Sequence, residues 1–335
     1  MARPGTWLRS PLGTVALIAL MASLSGEALR GQSASPPSEP PAHWGAVSIN
    51  LEDVPYPHPV QFLDRNLFGQ DVRIAYMDVA PVGQPNGRTA VLLHGGSYYG
   101  WYWKDTIEAL RNDGYRVVVK DRLGWGRSSK PILPYNINLH ASNTKAILDH
   151  LGISQAAVGG HSWGGQMASR FAFLYPETTT ELFMVNAIGL TDSRAGRPWR
   201  EPTGGNLTPD LQQLYERTLA GEVRRVVECK PEFLEHVRIR YGNTLSGEWP
   251  RLNLVRSMAS NARSIDTIVH DWPQMATRAM VIGGGRGRSE LPGNRQECGE
   301  RAAECRAGPD SERRAQPALG GTRNLQPEAD PVLGV

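Results

Sequence analysis

Gly160-His161-Ser162-Trp163-Gly164 is the stretch on which the reading of this chain turns. It follows a short apolar run, Ala156 to Gly159, and precedes Gly165 to Tyr175, whose spacing predicts a helix. A serine bracketed by glycines between a strand and a helix reads as a residue held on a tight, strained turn, with its hydroxyl lifted clear at the end of the strand. Glycine lets the two backbone segments approach where a Cβ would collide, and Gly165 lets the helix pack on the sheet. At the helix N-terminus the aligned peptide dipoles favour developing negative charge. Ser162 is therefore the candidate nucleophile, and the amide of Trp163 a candidate donor to an oxyanion.

Working outward, the run Val91-Leu92-Leu93 ends in His94-Gly95-Gly96-Ser97, a second loop at the end of a strand. Glycine there leaves backbone N–H groups uncovered, so the amide of Gly96, with Ser97 beside it, is the natural companion to that of Trp163. His94, before the turn, is expected to orient the loop, and His161 to point to the other side of the turn from the nucleophile. Tyr98, Tyr99, Trp101 and Trp103 follow. Two readings stay open for them: Ser97, Tyr98, Tyr99 and Trp101 line an acyl pocket, or the aromatic group packs beneath a helical insertion.

The rest of the pattern is an alternation of strands and helices. Val60 to Leu63 and Val72 to Val79 predict an antiparallel hairpin around Phe68-Gly69-Gln70. Thr89 to Leu93 and Tyr115 to Val119 are nearly continuous apolar runs, as expected of strands covered on both faces. Helices are expected over Lys104 to Asn112, Leu139 to Leu151 and Gly165 to Tyr175, with a further strand at Leu182 to Val185. Repeated β-α units imply a doubly wound, mostly parallel sheet. Boundaries follow: an α/β core over 46–190, a helical cap over 191–272 and a last core strand within 273–284. Thr208 and Pro209 are the expected cap and first-turn pair before Leu211, Leu214 and Leu219.

The two ends read differently. Over 1–28, Arg3 and Arg9 precede an apolar run from Leu12 to Leu24 and then small residues, the layout of an export signal and too short to span a membrane. Residues 29–45, rich in Ser and Pro, predict a flexible linker. Between Gly285 and Val335 there is no Trp, Tyr, Phe, Ile, Met, His or Lys, and the bulky aliphatics are four Leu and two Val, so 285–335 is expected to be a low-complexity, disordered tail. Apolar residues make up 40% and charged residues 21% of the chain, ordinary globular usage, and a net charge of +3 gives no reason to invoke nucleic acid. Cys229, Cys298 and Cys305 form no disulfide framework by spacing. No clustered His, Cys, Asp and Glu spacing calls for a metal, and no dinucleotide fingerprint calls for an organic cofactor.

Taken together, Leu92-Leu93-His94-Gly95-Gly96, Asp121-Arg122-Leu123-Gly124-Trp125-Gly126-Arg127-Ser128-Ser129 and Gly160-His161-Ser162-Trp163-Gly164-Gly165 make the chain from about Val60 to Gly284 resemble the α/β-hydrolase family, in the branch of esterases, perhydrolases and carbon–carbon bond hydrolases. The resemblance implies attack by Ser162 on a small acyl substrate, an oxyanion held by the amides of Gly96 and Trp163, and a structural role for Asp121. It also implies that Ser162, where dehalogenase and epoxide-hydrolase relatives carry Asp, serves acyl transfer. The chain departs from the family where the triad acid and histidine belong. The strand Arg278 to Ile282 runs into Gly283-Gly284-Gly285-Arg286-Gly287 with no Asp, and no histidine follows His270. A shifted reading frame in GC-rich coding DNA would remove both together. Without its base such a serine retains roughly 10³- to 10⁴-fold catalysis over water. Carbon–carbon bond hydrolysis and a catalytically silent fold are the rival expectations. His270 with Asp192 or Asp271 is a conceivable replacement, but its place before the seventh strand argues for a solvated helix histidine.

Overall fold

The computed structural model describes residues 37–192, 194, 196, 199–202, 210–223 and 231–283. The expected export signal, residues 29–36 of the linker, Thr208 and Pro209, Gly284, the three cysteines and the tail lie outside the described residues.

Among the described residues seven strands form one sheet: β1 (Gln61–Leu67), β2 (Gln70–Val79), β3 (Thr89–Leu93), β4 (Arg116–Lys120), β5 (Ala156–His161), β6 (Thr179–Val185) and β7 (Ala279–Ile282), in the order β1-β2-β4-β3-β5-β6-β7. The β1–β2 hairpin turns at Phe68-Gly69, both with positive φ, and pairs antiparallel with β4; the remaining pairings are parallel. Three helices alternate with the central strands: α1 (Lys104–Asn112), α2 (Ile137–His150) and α3 (Trp163–Leu174).

The nearly continuous apolar runs have the predicted cause. On β3 and β4, Ala90, Leu92, Val117 and Val119 pack with Ile107 and Leu110 of α1, while Val91, Leu93 and Val118 pack with Ile147, Met167 and Phe171 of α2 and α3. Successive residues of a strand face opposite sides, so a sheet sandwiched between helices needs apolar residues at every position.

Between β6 and β7 come α4 (Leu211–Val223), α5 (Pro231–Leu245) and α6 (Trp249–Ile265). They carry a small core of their own, with Tyr215, Leu219, Val237 and Tyr241 buried together. The start of α4 is set by Asp210, whose carboxylate accepts from the Gln213 amide at 2.8 Å, the geometry of an N-cap. Aspartate supplies that acceptor immediately before the first helical turn. No helix among the described residues is long and apolar enough to cross a membrane.

Candidate active site

Three loops meet at the carboxyl ends of β3, β4 and β5. At the end of β5 the chain turns into α3 at Ser162, which has φ 55° and ψ −117°. That is sparsely populated for a residue with a Cβ, and is tolerated when the surroundings over-determine it. Here the Ser162 amide donates to the Val185 carbonyl at 2.9 Å, while its carbonyl accepts from Gly165 at 3.1 Å and from Ile188 at 3.2 Å. The turn is also too tight for side chains. A Cβ on Gly160 would lie 2.1 Å from the Gly164 carbonyl carbon and oxygen, and one on Gly164 would lie 2.0 Å from the Leu93 carbonyl oxygen. The second of these shows that the end of β3 is pressed directly against the start of α3. Ser162 is half-buried, and its hydroxyl has no hydrogen bond among the described residues.

The loop after β3 is a turn, closed by the Tyr98 amide donating to the Gly95 carbonyl at 3.2 Å. Gly96 faces Trp163: a Cβ on Gly96 would lie 3.7 Å from Cε3 of the indole. The two candidate oxyanion donors thus belong to neighbouring segments, and Trp163, as the first residue of α3, has no intrahelical acceptor for its N–H. Ser97 is half-buried beside them.

His94 is fully spent on the loop. Its Nδ1 lies 2.9 Å from the Gly95 carbonyl, and its Nε2 accepts from the Arg122 amide at 3.1 Å, which assigns the neutral tautomer with the proton on Nδ1. Burial, and next the Arg122 charge, hold its pKa well below the usual histidine value. It cannot act as a proton carrier. His161, the last residue of β5, faces the loop after β3. Its ring lies beside Gly95, with Nδ1 3.1 Å from the Tyr102 hydroxyl, because the last residue of β5 points across to the neighbouring β3 loop.

The aromatic residues pack under the helical insertion. Tyr99 is buried, with its hydroxyl within hydrogen-bond reach of Asn243 on α5 and Arg256 on α6. Tyr98 donates to Glu222 of α4 at 3.0 Å, and both Tyr98 and Trp101 meet the ring of His236 on α5, with centroids 4.8 and 5.0 Å away. Trp103 goes to the opposite face of the sheet, against Ile107 and Leu110.

Asp121, at the end of β4, is buried and accepts from the Tyr56 hydroxyl and the Gly100 amide, each at 2.6 Å, and from the Arg127 amide at 2.8 Å. Burial raises its pKa and these donors oppose the rise. Its neighbour Arg122 has no counterpart in the sequence-level site. Its guanidinium bonds the carbonyls of His94, Gly95 and Gly96 at 3.1, 3.2 and 2.8 Å. The only sequence signal was its place inside the Asp121–Ser129 motif.

His270 and Asp192 do meet, at 3.1 Å, on the surface. Arg194, and next His270, hold the Asp192 carboxyl below the usual carboxylate range. His270 lies in a turn beyond α6 rather than within that helix. The helix stops at Ile265, where the Asp266 carboxylate accepts from the Ile137 amide at 2.7 Å and its carbonyl accepts from Gln166 at 2.5 Å. The next residue, Asp271, pairs with Arg170 of α3 at 2.7 Å. Arg170 is eight residues along α3 from Ser162, about 12 Å at 1.5 Å per residue, so this pair flanks the body of the helix rather than its start. Among the described residues no group of His, Cys, Asp and Glu is arranged to hold a metal ion.

Residues 90–220 match a family model described as the alpha/beta hydrolase fold. A 2-hydroxy-6-oxononadienedioate/2-hydroxy-6-oxononatrienedioate hydrolase of Paraburkholderia phymatum is 29% identical over 225 residues, which is 64% of this chain and 75% of that protein. Epoxide hydrolase B of Mycobacterium tuberculosis is 38% identical over 113 residues, 33% of this chain and 30% of that protein. Among solved structures, a probable hydrolytic enzyme of Pseudomonas aeruginosa superposes with a TM-score of 0.64 at 31% identity, over 78% of this chain and 88% of that one.

Proposed function

The chain belongs to the α/β-hydrolase family, and from that premise we propose that it is a serine hydrolase of an ester or related acyl compound, working through an acyl-enzyme on Ser162. The observation that carries the proposal is the backbone of Ser162 itself. A residue with a Cβ is held at φ 55° at the first turn of α3, its amide and carbonyl are both bonded, and its hydroxyl is left unengaged among the described residues. Strain of this kind costs on the order of 1–3 kcal/mol and persists where a side chain must be presented in one orientation.

In the proposed reaction the Ser162 oxygen attacks the acyl carbon. The carbonyl oxygen takes the negative charge and is held by the amides of Gly96 and Trp163. The proton of the Ser162 hydroxyl passes by way of solvent water to the leaving alkoxide, so the tetrahedral adduct expels the alcohol, and a second water then releases the acid and restores the hydroxyl. The hydroxyl makes no hydrogen bond to a proton acceptor among the described residues. The expected acceleration is therefore the roughly 10³- to 10⁴-fold over water that an oxyanion hole and binding supply without a complete triad.

The relative from Paraburkholderia phymatum supports a second reading, cleavage of a carbon–carbon bond in a 2-hydroxy-6-oxo-dienoate, which would share Ser162 as the nucleophile. Turnover of a p-nitrophenyl ester series and of a 2-hydroxy-6-oxo-dienoate, each with the unaltered chain and with Ser162→Ala, separates the readings. Ester turnover lost in the variant supports the first. Dienoate turnover without ester turnover supports the second, and no turnover of either by folded protein refutes both.

A further inference from the structure

We propose that Arg122 is the positioning residue of the oxyanion loop, aiming the amides of Gly96 and Ser97 by holding the carbonyls behind them; the inference rests on the reading of Ser162 as nucleophile. The argument is stereochemical. In a trans peptide the C=O and N–H of one unit point in opposite directions. The Gly95 carbonyl and the Gly96 amide are one such unit, and the Gly96 carbonyl and the Ser97 amide are the next. Arg122 Nη1 bonds the Gly95 carbonyl at 3.2 Å and Nη2 bonds the Gly96 carbonyl at 2.8 Å. Both carbonyls are thereby turned toward the guanidinium, and both amides are turned away from it. A third bond, from Nη1 to the His94 carbonyl at 3.1 Å, anchors the loop where it leaves β3.

The guanidinium is itself held in place. It lies between two indole rings, 4.0 Å from the centroid of Trp125 and 4.3 Å from that of Trp163, which cross at 86°. Trp163 is the residue after the nucleophile, so one planar cation registers the β3 loop against the start of α3. Arg122 is 1% exposed, and its charge is met by carbonyl oxygens and ring faces. A donor on each carbonyl also polarises the peptide unit and strengthens the N–H at its other end. Lysine at this position keeps the charge but has no fork, so it cannot bond several carbonyls in one plane or stack on indole in the same way.

The test compares the unaltered chain with R122K and R122M. It reads three quantities: the melting temperature, hydrogen exchange of the peptide covering 94–98, and labelling by a fluorophosphonate resolved into its limiting rate and half-saturation concentration. Misaimed amides are expected to slow the limiting rate on the order of 10²-fold in R122M, the scale of losing one oxyanion donor. R122K should fall between, half-saturation should change less than about twofold, and exchange over 94–98 should quicken. A residue that merely stabilised the fold would lower the melting temperature and leave the limiting rate of the folded protein unchanged, and that result overturns the proposal. If R122M does not fold, R122K decides on the same criteria. If the unaltered, folded chain is not labelled at all, the nucleophile assignment fails and this inference falls with it. Labelling at equal rates in all three overturns this inference alone.

Discussion

Replacing Asp121 with asparagine removes one acceptor and adds a donor in a site built wholly of donors. One carboxylate oxygen accepts from the Gly100 amide at 2.6 Å; the other accepts from the Tyr56 hydroxyl at 2.6 Å and the Arg127 amide at 2.8 Å. An amide group has a single oxygen. If that oxygen serves Gly100, the new NH₂ faces the Arg127 N–H; the tyrosine hydroxyl can rotate to accept, but the backbone N–H cannot. If it serves Tyr56 and Arg127, the Gly100 N–H is orphaned instead. Either way one buried N–H loses its partner, at about 1–3 kcal/mol, and charge-assisted bonds become neutral ones, so Asp121→Asn should cost roughly 2–4 kcal/mol in all. At about 2–4 °C per kcal/mol for a domain of this size, the melting temperature should drop by roughly 5 to 15 °C. Circular dichroism melts of the two proteins at pH 7 provide the assay. A variant melting within 1 °C of the parent would refute the assignment of Asp121 as the brace joining residue 56, the turn at 100 and the loop at 127.

Two further outcomes are expected. Ser162→Gly should be more stable than Ser162→Ala by about 1 kcal/mol in urea unfolding, because only glycine relieves the positive φ; equal stability would mean the turn is not strained. Lys120 is buried, with Nζ donating to the His140 carbonyl at 2.7 Å and to Thr144 at 2.5 Å, and burial pulls its pKa from 10.5 down to about 7. Between those values the unfolded chain binds a proton that the folded chain does not, so stability rises with pH from about 7 toward 10. Subtracting the melting curve of Lys120→Met should isolate that rise, and a flat or falling difference would contradict it.

The alternation of elements was legible because a doubly covered sheet imposes an unusual pattern, apolar at consecutive positions in Val91-Leu92-Leu93 and Val117-Val118-Val119, which no amphipathic helix requires. The turn at Ser162 was legible for a similar reason, since the glycines record close backbone approaches local in sequence or confined to adjacent strands. Arg122 was not legible, because its partners are carbonyls 26 to 28 residues earlier and main-chain groups leave no trace in residue type. The loop that His161 meets was not legible, because strand alternation gives the face of a residue but not which neighbouring loop lies beside it. The capping role of Asp210 at the start of α4 was not legible, because several residue types cap helices equally well and only geometry selects among them.

A crystal structure of the chain after reaction with a fluorophosphonate tests the central claim most directly. The account predicts phosphorus bonded to Oγ of Ser162, with one phosphoryl oxygen about 2.7–3.1 Å from the backbone nitrogens of both Gly96 and Trp163. An adduct on another residue, or a phosphoryl oxygen facing solvent with those two nitrogens turned away, would contradict it.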